Sequence, residues 1–284
     1  MAKAATGVVT LTAALLAAVI LAGAYVNVTS PKPCVQRSGE ALIRYAGLSG
    51  WVIETRHHII VIDYVELQPP RVERNIWNGY IDPAYLEGRT VRVFVTHGHG
   101  DHYWPPIREW SRTVRDIRYF FGWGLNVELD AVRFTGYRMN YTEPGLTVYT
   151  VNHPVASPPE VAYLIEVDGL TLYHTGDLAT SVPELDPRHK SNIDYIARLA
   201  GDVDLFFVSM AGGYFGKHVN PQDIYTINTL KPFAVFPQHY DPGVMYRLFA
   251  EEAQAGGAHA VYCLAERRGD AWLYRDGLVV KLGP

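Results

Sequence analysis

Three histidines and an aspartate stand within six residues at His97-Gly98-His99-Gly100-Asp101-His102. Imidazole nitrogens and carboxylate oxygens are the donors that borderline divalent ions such as zinc accept, and a short loop can aim several of them at one centre. Gly98 and Gly100 lack the Cβ that restricts backbone angles. The spacing therefore predicts that successive donors turn toward a common point instead of alternating sides as in a strand. The plain alternative is a solvated polar loop whose histidines do not converge.

Such a cluster needs a rigid frame. From residue 41 onward the chain reads as β-runs first, with helices arriving later. Residues 41–45, 51–54 and 59–64 are rich in Val, Ile and aromatics between Gly or polar breaks, which predicts successive antiparallel strands. Residues 91–95 form a continuous apolar run that ends directly at the histidines, which places the motif on a loop after a buried strand. Runs at 161–167 and 170–174 flank Asp168-Gly169, a two-residue hairpin turn. Helices are predicted at 191–199, 221–230 and 243–254, alternating with strands at 205–208 and 233–236; the last strands are predicted at 260–264, 271–274 and 278–282. This order predicts an α/β (α+β) domain over residues 38–284, a four-layer αββα sandwich of two mixed sheets with helices outside.

The motif resembles the signature of the metallo-β-lactamase superfamily, and that resemblance implies an αββα sandwich holding two metal ions. Further segments are similar to the family's remaining ligand stretches. Asn152-His153-Pro154 follows the apolar run 146–151, Gly176-Asp177 follows the run 170–174, and Pro237-Gln238-His239 follows the run 233–236. The resemblance implies that His97, His99 and His153 hold one ion and that Asp101, His102 and His239 hold the other, with Asp177 shared. It implies two divalent ions, zinc first, with manganese or iron as alternatives. It further implies a bridging hydroxide that attacks an ester, lactone or phosphodiester in a small-molecule or lipid-like substrate, with Asp101 also in a general acid-base role. Each late residue has a duller reading: His153 as a loop histidine beside Pro154, Asp177 as a helix N-cap, His239 as a surface residue at a strand end. His174 reads as a core residue that orients a carboxylate and not as a ligand. His57, His58, His189 and His259 fall outside any ligand pattern.

Residues 210–223, which include Lys217 and His218, resemble a block in relatives of ascorbate phosphate lactonase and N-acyl phosphatidylethanolamine phospholipase D. The block makes His218 a candidate catalytic residue through substrate contact, and Lys217 a candidate partner for a phosphate. It reads equally as a polar loop capping the helix from Pro221. Residues 68–88 and 103–141, with Trp77, Tyr80, Tyr103, Trp104 and Trp123, match nothing in those relatives, so the resemblance does not fix a substrate. Two other classes stay open: an iron-containing oxidoreductase of this fold, against which the Asp101-His102 ending of the motif weighs, and a non-catalytic metal-bound protein at a membrane surface.

The chain has 284 residues, 48% of them hydrophobic and 19% charged, which is enough to bury a large core and excludes a disordered or fibrous chain. The formal net charge of -4 is spread without a basic stripe, which argues against nucleic acid as a partner. No charged residue lies between Lys3 and Lys32, and residues 7–28 are nearly all apolar. That length suits a membrane-spanning helix, while Ala22-Gly23-Ala24 suits cleavage of a signal peptide. Residues 1–30 are thus an anchor or a signal, and both readings place the domain on the extracytoplasmic side. Cys34 and Cys263 are compatible with one disulfide or with two thiols. Nothing in the sequence sets an oligomeric state.

Overall fold

The computed structural model describes residues 39–153, 160–178, 184–210, 217–240 and 242–283. The apolar segment at 1–30 and Cys34 lie outside them, while Cys263 is buried in the core. Among the described residues no helix is long and apolar enough to cross a membrane.

Short runs of β-branched and aromatic residues, broken by glycine turns, give strands that pair into two sheets. The first holds β1 (Glu40–Gly47), β2 (Gly50–Glu54), β3 (His58–Ile62), β4 (Thr90–His97), β5 (Ile117–Trp123), β6 (Ala131–Arg133), β14 (Ala271–Arg275) and β15 (Leu278–Lys281). Their order is β15-β14-β1-β2-β3-β4-β5-β6. The second holds β7 (Asn140–Glu143), β8 (Leu146–His153), β9 (Glu160–Val167), β10 (Leu170–His174), β11 (Leu205–Ser209), β12 (Ala234–Gln238) and β13 (Val261–Tyr262), in the order β13-β12-β11-β10-β9-β8-β7. Both sheets are mixed. β3 to β6 run parallel, as do β10 to β13, and the remaining pairs are antiparallel. The expected hairpin is present: Asp168 and Gly169 take φ of 49° and 80°, the left-handed pair that a tight two-residue turn requires.

The facing sheets bury an aromatic-rich core that includes Trp51, Phe94, Phe120, Tyr163, Phe207 and Phe236. Phe94 stacks on Phe120 at 4.5 Å, and Trp51 crosses Phe207 at 5.0 Å. Among the described residues three α-helices, α1 (Pro187–Ala200), α2 (Pro221–Leu230) and α3 (Val244–Ala255), form the outer layer of the second sheet. The first sheet is covered differently from the helical layer that the sequence predicts. Its outer face packs on Ile76, Leu86, Ile107 and Trp110, carried by 3-10 turns at Ile76–Asn78, Pro83–Leu86 and Pro105–Arg112. Pro83, Pro105 and Pro106 lack the amide donor an α-helical ladder needs, which keeps these pieces short.

Two features of this frame position the chemistry. β10, β11 and β12 are parallel, so the residues that follow them leave the sheet along one edge, where open α/β sheets place ligands. β4 also runs longer than the predicted 91–95: Thr96 and His97 are its last residues, so the first histidine of the motif belongs to the strand and the rest to the loop.

Candidate metal centre

His97 is fully buried at the end of β4. Its Nδ1 lies 3.1 Å from Thr96 Oγ1, which leaves Nε2 facing His99 Nδ1 at 2.9 Å and Asp177 Oδ2 at 3.8 Å. His102, also fully buried, is fixed in the same way. Its Nδ1 donates to Asp63 Oδ2 at 2.8 Å, and its Nε2 points at Asp177 Oδ1 at 3.2 Å without the alignment of a hydrogen bond. Thr96 ties the two histidines together: its hydroxyl donates to Asp63 Oδ2 at 2.7 Å and its backbone N–H to Asp63 Oδ1 at 2.8 Å. Carboxylate and hydroxyl thereby hold both Nδ1 atoms and leave both Nε2 atoms for an ion, the arrangement by which metal-binding histidines are oriented.

Asp177 sits on the turn after β10. Gly176 takes φ of 58°, and a methyl there would lie 3.0 Å from both Thr96 Cβ and Val161 O, so only glycine lets the turn pass between β4 and β9. His174 shapes that turn from below: its Nδ1 accepts from Gly176 N at 3.1 Å while Nε2 donates to Ser49 O at 3.2 Å. Both ring nitrogens of His174 are thus taken by backbone groups, where the sequence predicts a core residue that orients a carboxylate. Ser209, at the end of β11, donates to Asp177 Oδ1 at 3.3 Å. His239 follows β12 in the left-handed region, with φ of 82°. Its backbone N–H is anchored to Leu48 O at 3.0 Å, and Nε2 reaches Asp177 Oδ2 at 3.1 Å and Asp101 Oδ2 at 3.4 Å.

The donors fall into two groups that share a member: Asp101, His102, Asp177 and His239 form one, and His97, His99 and Asp177 form the other. Within each, the donor atoms lie within 4.8 Å of one another. Six of the seven expected ligands thus converge. The side chain of His153, at the end of β8, lies outside the described residues. His218 is not part of either group. Its Nδ1 pairs with Glu252 Oε1 on α3 at 2.7 Å, and Glu252 Oε2 takes the backbone N–H groups of His218 and Val219 at 2.6 and 3.2 Å. Lys217 is exposed. Gly98 and Gly100 do not use the backbone freedom expected of them, since neither has a positive φ. Gly98 serves by close approach instead, since a methyl there would sit 3.2 Å from Gly124 O.

The electrostatics call for a cation. Asp63, Asp101 and Asp177 converge, and among the described residues no Lys or Arg pairs with any of them. Burial opposes the charged form of Asp177, yet the imidazoles of His102 and His239, at 3.2 and 3.1 Å, hold it well below the usual carboxylate range. Asp101, bonded to His239, is lowered to about 2. Burial opposes the charged form of His239, yet its bonds to Asp101 and Asp177 raise it to about 9. His102 is raised against burial by Asp63 and Asp177. His97 goes the other way, lowered to about 4 by burial and by neighbouring His102, so it presents a neutral nitrogen. The buried, unpartnered Nε2 of His102 and this nitrogen-oxygen donor set fit divalent ions of the zinc, manganese or iron type.

Sequence reading missed Asp63, Thr96, Ser209 and Glu160. Glu160 begins β9 opposite His153, and its carboxyl is pushed up to about 7 by burial and by the charge of Asp177. The one signal for Asp63 in the sequence was a carboxylate directly after the apolar run 59–62 of β3.

The family described as Beta-lactamase superfamily domain matches residues 42–239, which span the whole site. The chain belongs to the metallo-β-lactamase superfamily. A curated relative, the UPF0173 metal-dependent hydrolase of Thermococcus kodakarensis, is 23% identical over 233 residues, covering 75% of this chain and 93% of that protein. Among solved structures, Igni18, a metallo hydrolase from the archaeon Ignicoccus hospitalis, superposes with a TM-score of 0.57 at 19% identity, covering 83% of this chain and 99% of that one. CmlA, a diiron β-hydroxylase from Streptomyces venezuelae, gives 0.56 at 15% identity over 87% of this chain and 55% of its own. Both structures share the superfamily's fold with this chain.

Proposed function

We propose that this chain is a metal-dependent hydrolase of an ester, lactone or phosphodiester bond, with two divalent ions held side by side. The observation that carries the reading is Asp177, whose carboxylate belongs to both donor groups. His97, His99 and Asp177, joined by His153, would hold one ion; Asp101, His102, Asp177 and His239 would hold the other. Ions so held lower the pKa of water toward neutrality and polarise a substrate oxygen. The chain's own residues do the rest. Asp63 and Thr96 keep the two buried histidines aimed, Ser209 steadies Asp177, and Asp101, ionised and 40% exposed, would accept a proton. The name of the Thermococcus relative supports hydrolysis. For His218, the clamp by Glu252 favours a structural role at the junction of α2 and α3 over substrate contact. The apolar run at 7–28 is the sole support for an extracytoplasmic location by anchor or signal.

The test is metal analysis of the full chain purified without added metal, followed by assays on bis(p-nitrophenyl) phosphate, p-nitrophenyl acetate and a simple lactone. Two equivalents of zinc or manganese and turnover of at least one substrate, abolished in Asp177→Ala and Asp101→Ala, are expected. Stoichiometric iron with a visible charge-transfer band would move the protein to the oxidative class. Full zinc loading with no turnover of any of the three would leave a binding protein.

A further inference from the structure

The segment 66–80 follows β3, and from residue 68 it belongs to the stretch 68–88 that resembles nothing in the family's relatives. It forms one wall of a cavity of about 360 Å³, a volume typical of small-molecule sites. Leu48, Val65 and Leu67 give the cavity apolar walls, and Tyr80, Arg71 and Arg268 complete it. Leu67 and Val72 at its edge are 63% and 53% exposed, more than large apolar side chains usually are unless something covers them.

Its place in the fold ties it to the metal centre. The turn from Gly47 to Gly50 separates the two. On one side Leu48 O accepts the backbone N–H of His239 and Ser49 O accepts from His174; on the other side Gly47 and Leu48 line the cavity. Val65 lies two residues beyond Asp63, the carboxylate that fixes His102.

The charge of the cavity is one-sided. Arg268 donates to the carbonyls of Gly79 and Val65 at 3.0 and 2.9 Å and lies over the rings of Tyr80 and Tyr64 at 4.1 and 5.4 Å. Those contacts hold the guanidinium in place without neutralising it. Arg71 also lines the cavity and is exposed, and among the described residues no carboxylate pairs with either arginine. Of the two acids in the segment, Glu66 is taken by Arg74 at 2.5 Å and by the hydroxyl of Tyr64, and Glu73 is exposed and does not line the cavity. No acidic side chain lines the cavity. Two guanidinium groups above apolar walls match an organic anion, because guanidinium binds carboxylate and phosphate oxygens through paired N–H donors.

We propose that this cavity is a substrate subsite that takes a carboxylate or phosphate group through Arg71 and Arg268 and an attached short apolar chain along Leu48, Val65 and Leu67. The proposal rests on the hydrolase reading for what lies next door, but the subsite itself is read by binding. The experiment is isothermal titration of the zinc-loaded full chain with octanoate, octyl phosphate and octanol, repeated on Arg71→Glu and Arg71→Lys. Arg71 is exposed, so both variants are expected to fold, which thermal unfolding checks. Saturable binding of at least one anion, weakened about 10- to 100-fold in Arg71→Glu and largely kept in Arg71→Lys, is expected from the loss of a charged hydrogen bond. The ratio of octanoate to octyl phosphate affinity then tells carboxylate from phosphate. Octanol binding as tightly as the anions, no saturable anion binding, or equal affinity in wild type and Arg71→Glu overturns the subsite; the last result would mean that the anions simply ligate zinc. Arg71-dependent binding without hydrolysis of any generic substrate would instead remove the hydrolase reading and leave the subsite standing.

Discussion

Asp63 Oδ2 lies 2.8 Å from His102 Nδ1, and neither side chain has any exposure to solvent. The carboxylate is kept ionised by His102 and Thr96 in spite of complete burial, and it fixes the imidazole so that only Nε2 is free. Replacing Asp63 with Ala leaves every expected ligand in place yet should weaken metal binding about 10- to 100-fold, the usual effect of removing the partner of a metal-bound histidine. Competition with a chromogenic chelator measures it. Unchanged affinity would show that packing alone orients His102.

Thr96 carries the second half of that support. Its hydroxyl donates to Asp63 and meets Nδ1 of both His97 and His102, at 3.1 and 3.3 Å. Thr96→Val keeps the shape and removes the hydroxyl, so an ionised buried carboxylate loses a donor. The expected cost is about 1–3 kcal/mol in urea unfolding, with weaker metal retention besides. A stability equal to wild type would mean that the backbone N–H of Thr96 is enough for Asp63.

How much of this was legible in the sequence depends on range. The stretches that converge in the donor groups were readable because each is local, a donor placed just after an apolar run, as at His97, Asp177 and His239. Asp63 was not, because its partner lies 39 residues away and nothing about one aspartate after β3 announces a buried histidine. The Asp168-Gly169 hairpin was readable for the same local reason. The 3-10 cover on the first sheet was not, since Ile107 and Trp110 are spaced like a helical face while the prolines beside them stop the helix. The clamp on His218 was hidden by a separation of 34 residues to Glu252.

The shifted histidines give the metal-free protein a definite pH profile. His239 is raised to about 9, so its pairing with Asp101 and Asp177 contributes fully below the unfolded value of 6.5 and is lost as pH climbs through 9. His97 is lowered to about 4, so folding is disfavoured as acid protonates the unfolded chain first, between 6.5 and 4. Tm of the chelator-treated chain should therefore peak near 6.5 and fall on both sides. The zinc-loaded chain should instead keep gaining Tm up to about pH 9, because the proton on His239 competes with the ion. Parallel thermal scans across pH 5–9.5 separate the two forms; identical profiles would sink the assignment of His239 as a ligand.

Two glycines near the motif should behave in opposite ways. Gly122, in β5, has no room for a side chain: a methyl would sit 2.0 Å from Thr96 O and 3.2 Å from Val161 Cβ. Because Thr96 and His97 are adjacent, Gly122→Ala pushes on the strand end that carries the first ligand. We expect it to cost about 1–3 kcal/mol through overpacking and to lower zinc affinity as well. Gly100 lies between two expected ligands, yet it has no positive φ and nothing stands within 4 Å of a methyl built there. Gly100→Ala should stay within about 0.5 kcal/mol of wild type and keep its full metal content. Chemical denaturation and metal analysis of the two variants side by side decide the matter. If Gly100→Ala lost metal while Gly122→Ala kept it, the motif loop would depend on the backbone freedom of its own glycines and not on the close packing of β4 against β5.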